Sequence, residues 1–96
     1  MTTTDLLQAK REEILRIAER HGARAVRVFG SVARGEATDQ SDIDFLVSTT
    51  DQTSPWFPVA LVEELERVLG RKVDVVTKGG LYWLLRRRIL QEARPL

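Results

Sequence analysis

Three aspartates stand where aspartate is uncommon. Asp42 and Asp44 flank Ile43 at the head of the apolar run that continues through Phe45, Leu46 and Val47, and Asp74 divides Val73 from Val75. Aspartate is depleted in strands, so these positions ask for a reason beyond folding. Alternation along an extended chain puts Asp42 and Asp44 on one face and Ile43, Phe45 and Val47 on the other. Asp74 likewise points away from the side of its valine neighbours. If the two strands are adjacent, three carboxylates converge. Oxygen donors held on rigid strands suit one or two hard divalent cations such as Mg2+, and without a cation the like charges repel. A pair of ions about 4 Å apart activates an attacking oxygen and stabilises a leaving one during in-line phosphoryl transfer.

The other half of such a site lies upstream, at Gly30-Ser31, followed by a gap of ten residues and then Asp42-Ile43-Asp44. Glycine lets a phosphate approach the backbone, and the amides that open a helix at Ser31 form an anion seat. Ser31 also has the ordinary reading of a helix N-cap. Arg34 either neutralises phosphate charge or is a solvated arginine in a turn beside Gly35. Metals and phosphate seat together would bind a nucleoside triphosphate.

The elements that must position these residues are legible in outline. Residues 5–21 carry Leu7, Ile14, Ile17 and Ala18 at helical spacing and end at Gly22. Residues 25–29 read as a strand, Ser31 to Arg34 as one helical turn, and 36–41 as a polar loop. Asp42 to Ser48 is a second strand, and 49–58 a long loop with two prolines. Residues 59–69 place Leu61, Val62, Leu65, Val68 and Leu69 on one helical face, with Gly70 as C-cap. Lys72 to Thr77 is a third strand, Lys78-Gly79-Gly80 a turn, and Leu81 to Ala93 a last helix. The order α-β-α-β-α-β-α predicts an α/β (α+β) fold, a small mixed sheet flanked by helices. The helix between the second and third strands permits a right-handed crossover, which would make them parallel neighbours.

Composition bounds the classes. The chain has 96 residues, with 15 Lys and Arg against 14 Asp and Glu and no cysteine. That length fits a single domain over residues 1–96. The charge balance argues against holding nucleic acid by bulk positive charge, so no direct nucleic-acid binding is expected. Disulfides and thiolate metal sites are excluded. Without a long apolar run or a signal-like N-terminus, no membrane association and a cytoplasmic location are the expectations. His21 reads as a surface histidine favoured by a helix C-terminus. Trp56 and Phe57 either pack or cover a base or partner. Arg86-Arg87-Arg88 reads as a solvated face or a meeting point for an acidic patch or RNA.

At Phe29-Gly30-Ser31-Val32-Ala33-Arg34-Gly35, at Ser41-Asp42-Ile43-Asp44-Phe45-Leu46-Val47 and at Val73-Asp74-Val75-Val76, the sequence resembles the minimal nucleotidyltransferases of the DNA polymerase β superfamily. The likeness covers essentially the whole chain. It implies the polymerase-β-like nucleotidyltransferase fold and Mg2+-dependent transfer of AMP from ATP with release of pyrophosphate. On that resemblance Gly30 and Ser31 bind the triphosphate, Asp42 and Asp44 coordinate the ions, and Asp74 completes the metal and acceptor site; Arg34 joins the nucleotide-binding candidates on its charge and place alone. Members this small resemble the antitoxins of HEPN/MNT pairs, in which the MNT protein adenylylates a tyrosine of the HEPN ribonuclease toxin. That implies a hetero-oligomer with the toxin. Two alternatives remain open at this stage: an antitoxin that inhibits by binding alone, and nucleotidyl transfer to a small molecule or RNA.

Overall fold

The N-terminal apolar spacing produces two helices rather than the single one expected over residues 5–21. The computed structural model, which describes residues 2–50, 53, 56–81 and 83–96, opens with α1 (Thr3–Ala9). Thr2 and Asp5 form its capping box: the Thr2 hydroxyl accepts from the Asp5 N–H, and the Asp5 carboxylate accepts from the Thr2 N–H. The chain leaves helical geometry at Lys10 and resumes as α2 (Arg11–Arg20). Hydrogen bonds from Lys10 N–H to Leu6 O and from Ile14 N–H to Lys10 O carry the ladder through the break. Periodicity reads only which face is apolar, so it gives no sign of the bend.

β1 (Ala23–Phe29) begins two residues earlier than expected and carries a bulge between Arg24 and Arg27, with Ala25 at φ +50°. A short turn, α3 (Gly30–Ala33), leads through a polar loop to β2 (Ile43–Thr49). α4 (Val59–Leu69) ends, as expected, at Gly70 in the left-handed region at φ +65°. β3 (Val73–Thr77) follows, then a 3-10 turn at Lys78–Gly80 in which the Thr77 hydroxyl accepts from the Gly80 N–H. The last helix is α5 (Trp83–Glu92), after which Arg94–Pro95 forms β4. Of the expected 49–58 loop, residues 51, 52, 54 and 55 lie outside the described residues, as does Tyr82 in the last segment.

The strand order is β3-β2-β1-β4. β1 lies antiparallel to β2 and to β4, and β2 and β3 are the expected parallel neighbours. The sheet is therefore mixed. One face joins Val26, Val28, Ile43, Phe45, Val47, Val73 and Val75 to Ile14 and Ile17 of α2 and to Leu61, Leu65 and Leu69 of α4 in one buried cluster. Burial of these side chains is the main favourable term holding the two layers together. Across the helical layer, Glu64 of α4 accepts from Arg20 at 2.6 Å and lies 2.7 Å from His21 Nε2. His21 is thus a partly buried tie between helices rather than the free surface histidine its position at a helix end predicts. No helix is long and apolar enough to cross a membrane among the described residues.

Candidate active site

β2 is flanked on both edges, and both neighbours bring functional groups to it. In the parallel register Asp44 stands directly abreast of Asp74. Asp42 lies one residue before β2, exposed rather than in the strand as expected. Its approach is fixed by the Ile43 N–H, which donates to Lys72 O at 2.9 Å, and by Arg71. The Arg71 guanidinium donates to the carbonyls of Thr38 and Ser41 at 2.8 and 2.7 Å and to the Thr3 hydroxyl at 3.1 Å. Arg71 thereby pins the loop that delivers Asp42, a role with no sequence signal beyond a basic residue after Gly70.

Asp44 is the most perturbed group of the site. Its carboxyl is raised from 3.8 to about 6, first by burial, then by the charges of Asp74 and Asp42, with Arg34 acting in the opposite sense. On the same face, two residues on, Leu46 is fully buried, so Asp44 stands at the margin of a covered stretch of that face. Gly30 closes over the same carboxylate. It sits at φ +69°, and a Cβ at this position would run into the Asp44 carboxylate. Glycine is required here twice, for its backbone angle and for its missing side chain.

Ser31 does not cap the turn that follows. The turn begins one residue earlier, closed by Arg34 N–H donating to Gly30 O at 3.1 Å, and no side chain caps it. The N-cap reading of Ser31 is therefore corrected, and its partly buried hydroxyl stays next to Gly30 without that duty. Arg34 is neither solvated alone nor free to wait for phosphate: it pairs with Glu36 at 3.2 Å and with Glu92 at 2.6 Å. Glu92, near the chain's end, also accepts from the Gly30 N–H at 2.9 Å. Burial alone would raise the Glu92 carboxyl, but the bonds from Arg34 and Gly30 overcome that and hold it below the usual glutamate range. Nothing in the sequence marks this residue, which lies 62 positions from the glycine it meets.

The acidic groups bear on one another without forming a closed cage. Among the described residues, no three acidic, histidine or cysteine side chains stand close enough to be a ready-made metal site. The donor chemistry nevertheless fits a hard divalent cation: carboxylates alone, two on neighbouring strands and Asp42 just before one of them, with Asp44 carrying repulsion from both partners. The remaining candidates fall outside this site. Of the two alternatives for the aromatic pair, packing describes Phe57, which lies on the core, and not Trp56, which is exposed. Lys78-Gly79-Gly80 is the expected turn. Arg86, Arg87 and Arg88 are exposed on α5, beside exposed Leu84 and Leu85.

Comparison with known proteins bears on the family and the fold. The family model described as "Nucleotidyltransferase domain" matches residues 11–96. The chain is 39% identical over 87 residues, covering 91% of it and 85% of the relative, to a Thermococcus cleftensis protein named protein adenylyltransferase MntA. A solved structure provisionally described as a minimal nucleotidyltransferase superposes with a TM-score of 0.84 at 47% identity, covering 96% of this chain and 94% of that one. The fold also matches, at 19% identity and a TM-score of 0.69, one chain of a solved structure described as tri-AMPylated Shewanella oneidensis HEPN toxin in complex with MNT antitoxin, covering 92% of this chain and 69% of that one.

Proposed function

Since the chain belongs to the nucleotidyltransferase domain family, we propose that it is a protein adenylyltransferase, acting as an antitoxin that moves AMP from ATP to a tyrosine hydroxyl of a partner HEPN ribonuclease. The observation that carries the reading is the register: parallel β2 and β3 set Asp44 abreast of Asp74 while Gly30, in the turn that follows β1, covers Asp44 from the other side. The relative named protein adenylyltransferase supports the AMP transfer, and the antitoxin complex of the same fold supports the choice of partner. In this reading residues 1–96 form one transfer domain, and the partner brings the acceptor hydroxyl.

Gly30, Ser31 and Arg34 receive the triphosphate. Asp42, Asp44 and Asp74 would hold Mg2+, which when bound neutralises phosphate charge and lowers the pKa of the attacking hydroxyl. The acceptor oxygen forms a bond to the α-phosphorus as the bond to the bridging oxygen of the β-phosphate breaks, and pyrophosphate leaves with that electron pair. Asp74, exposed beside Asp44, takes the hydroxyl proton and passes it to solvent. The added AMP places a bulky anion on the toxin, disabling an RNA-binding groove by charge and size.

The test is intact-mass spectrometry of the HEPN partner after incubation with this protein, ATP and Mg2+. One or more added AMP masses are expected, absent when Asp42→Asn/Asp44→Asn replaces the wild type. An unmodified partner held in a stable, inhibited complex would refute transfer and leave inhibition by binding.

A further inference from the structure

The groups proposed to receive the triphosphate already hold an anion of the protein's own. One oxygen of Glu92 takes the Gly30 N–H at 2.9 Å, and the other takes the Arg34 guanidinium at 2.6 Å. A carboxylate that bridges a backbone amide and a guanidinium through its two oxygens makes the contacts that two phosphate oxygens would make. The arrangement comes from the sheet. β4 pairs antiparallel with β1 so that Val28 faces Arg94, and just beyond that pairing the first residue of α3, Gly30, meets the last residue of α5, Glu92. The backbone therefore brings Glu92 to this place, and only the rotation of its side chain is needed to leave it. Its side chain is 16% exposed and that of Arg34 40%, so the pair is shielded on the glutamate side and open on the arginine side.

We propose that Glu92 is a positioning residue that occupies the phosphate seat in the nucleotide-free protein, keeping the Gly30–Arg34 turn in its binding shape, and that the triphosphate must displace it to bind. The inference rests on the nucleotidyltransferase reading of the same turn. Two consequences separate it from a plain structural ion pair. Every ligand that reaches the seat carries the cost of moving Glu92, so its apparent affinity is lowered by the fraction of time the seat is filled. A ligand that lacks phosphates carries no such cost.

The experiment measures binding of α,β-methylene ATP, whose scissile linkage cannot be cleaved, and of adenosine, by calorimetry with Mg2+ present. Glu92→Gln keeps the volume and an acceptor for the Gly30 N–H but removes the charge facing Arg34. The variant is expected to bind the analogue about tenfold more tightly, the result for a seat filled nine-tenths of the time, and adenosine unchanged. In turnover the same change appears as a lower KM for ATP at an unaltered kcat. A wild type that binds the analogue as tightly as the variant, or more tightly, overturns the inference and leaves the function standing. A wild type and variant that both fail to bind it overturn the function itself.

A second measurement needs no variant. In wild-type protein labelled with 13C and 15N, saturation with the analogue should move both the Gly30 amide signal and the Glu92 side-chain carboxyl signal. A Glu92 carboxyl that stays in place at saturation while Gly30 shifts overturns the displacement.

Discussion

Replacing Asp44 by asparagine should make the metal-free protein more stable while removing its proposed activity. The side chain keeps its shape beside Gly30 and loses only its charge. In the folded protein the Asp44 carboxyl is raised from 3.8 to about 6, by burial first and then by Asp74 and Asp42. Taken at face value that is about 3 kcal/mol against the ionised form. The group is only partly buried, and solvent screening reduces the figure to roughly 1–2 kcal/mol. The sign follows from linkage: with the folded-state value above the unfolded one, Asp44 favours folding most below pH 4, and that advantage is lost as the pH rises through about 6. Asparagine never ionises. In urea or thermal unfolding with EDTA at about pH 7.5, Asp44→Asn should gain roughly 1–2 kcal/mol, or ~4–16 °C in Tm for a domain of this size. The gain should shrink as the pH approaches about 4, where wild-type Asp44 is protonated. Mg2+ should then stabilise the wild type and not the variant. A variant that is less stable than wild type at neutral pH, or a gain that ignores pH, would refute the claim that Asp44 is held against its own repulsion.

Two further changes test the frame of the fold, one beside this carboxylate and one in the helical layer. Gly30→Ala places a Cβ against the Asp44 carboxylate at φ +69° and should cost at least about 2 kcal/mol in urea unfolding, since a left-handed backbone alone costs an alanine about 1; a loss below about 0.5 kcal/mol would show that the close approach is not maintained in solution. Glu64→Gln tests the tie between α2 and α4. The hydrogen bond with His21, helped by Arg20, lowers the Glu64 carboxyl, so its contribution is present above the unfolded value of 4.5 and is lost as the pH falls through the lower folded one. The variant should lose about 1 kcal/mol near pH 6.5 and almost nothing in strong acid, read from unfolding curves at both pH values.

How much of this was legible depends on how far apart in the chain the determinants lie. Strand alternation is a two-residue rule, and it sorted Asp44 from Ile43, Phe45 and Val47 correctly because each side chain's face follows from its immediate neighbours. The parallel pairing of β2 and β3 was legible too, because an amphipathic helix of crossover length stands between them. Asp42 fell just outside the strand for a reason that no local rule contains. The loop before it is fastened by Arg71, 30 residues away from Ser41 in sequence. The bulge in β1 escaped as well, since Ala25 is an unexpected residue for φ +50° and carries no turn signal.

The strand β4 and the glutamate before it mark the limit most clearly. A two-residue strand containing proline has neither alternation nor length, so it is invisible to periodicity and exists only because β1 offers an open edge. Yet that short pairing fastens the chain just past Glu92, at the end of the sheet where Glu92 meets Gly30. The sequence motif around Gly30 and Ser31 describes what the turn is able to bind, and the tertiary register determines what it binds when nucleotide is away. An anion seat lined by an amide and an arginine is costly to leave empty in a partly buried place, because each unsatisfied donor loses its solvation without a partner. A carboxylate from the chain's own last helix meets that need, and it does so with a single charge that a triphosphate, carrying several, can outcompete. The same contact that keeps the turn in shape thus sets a threshold for what enters it.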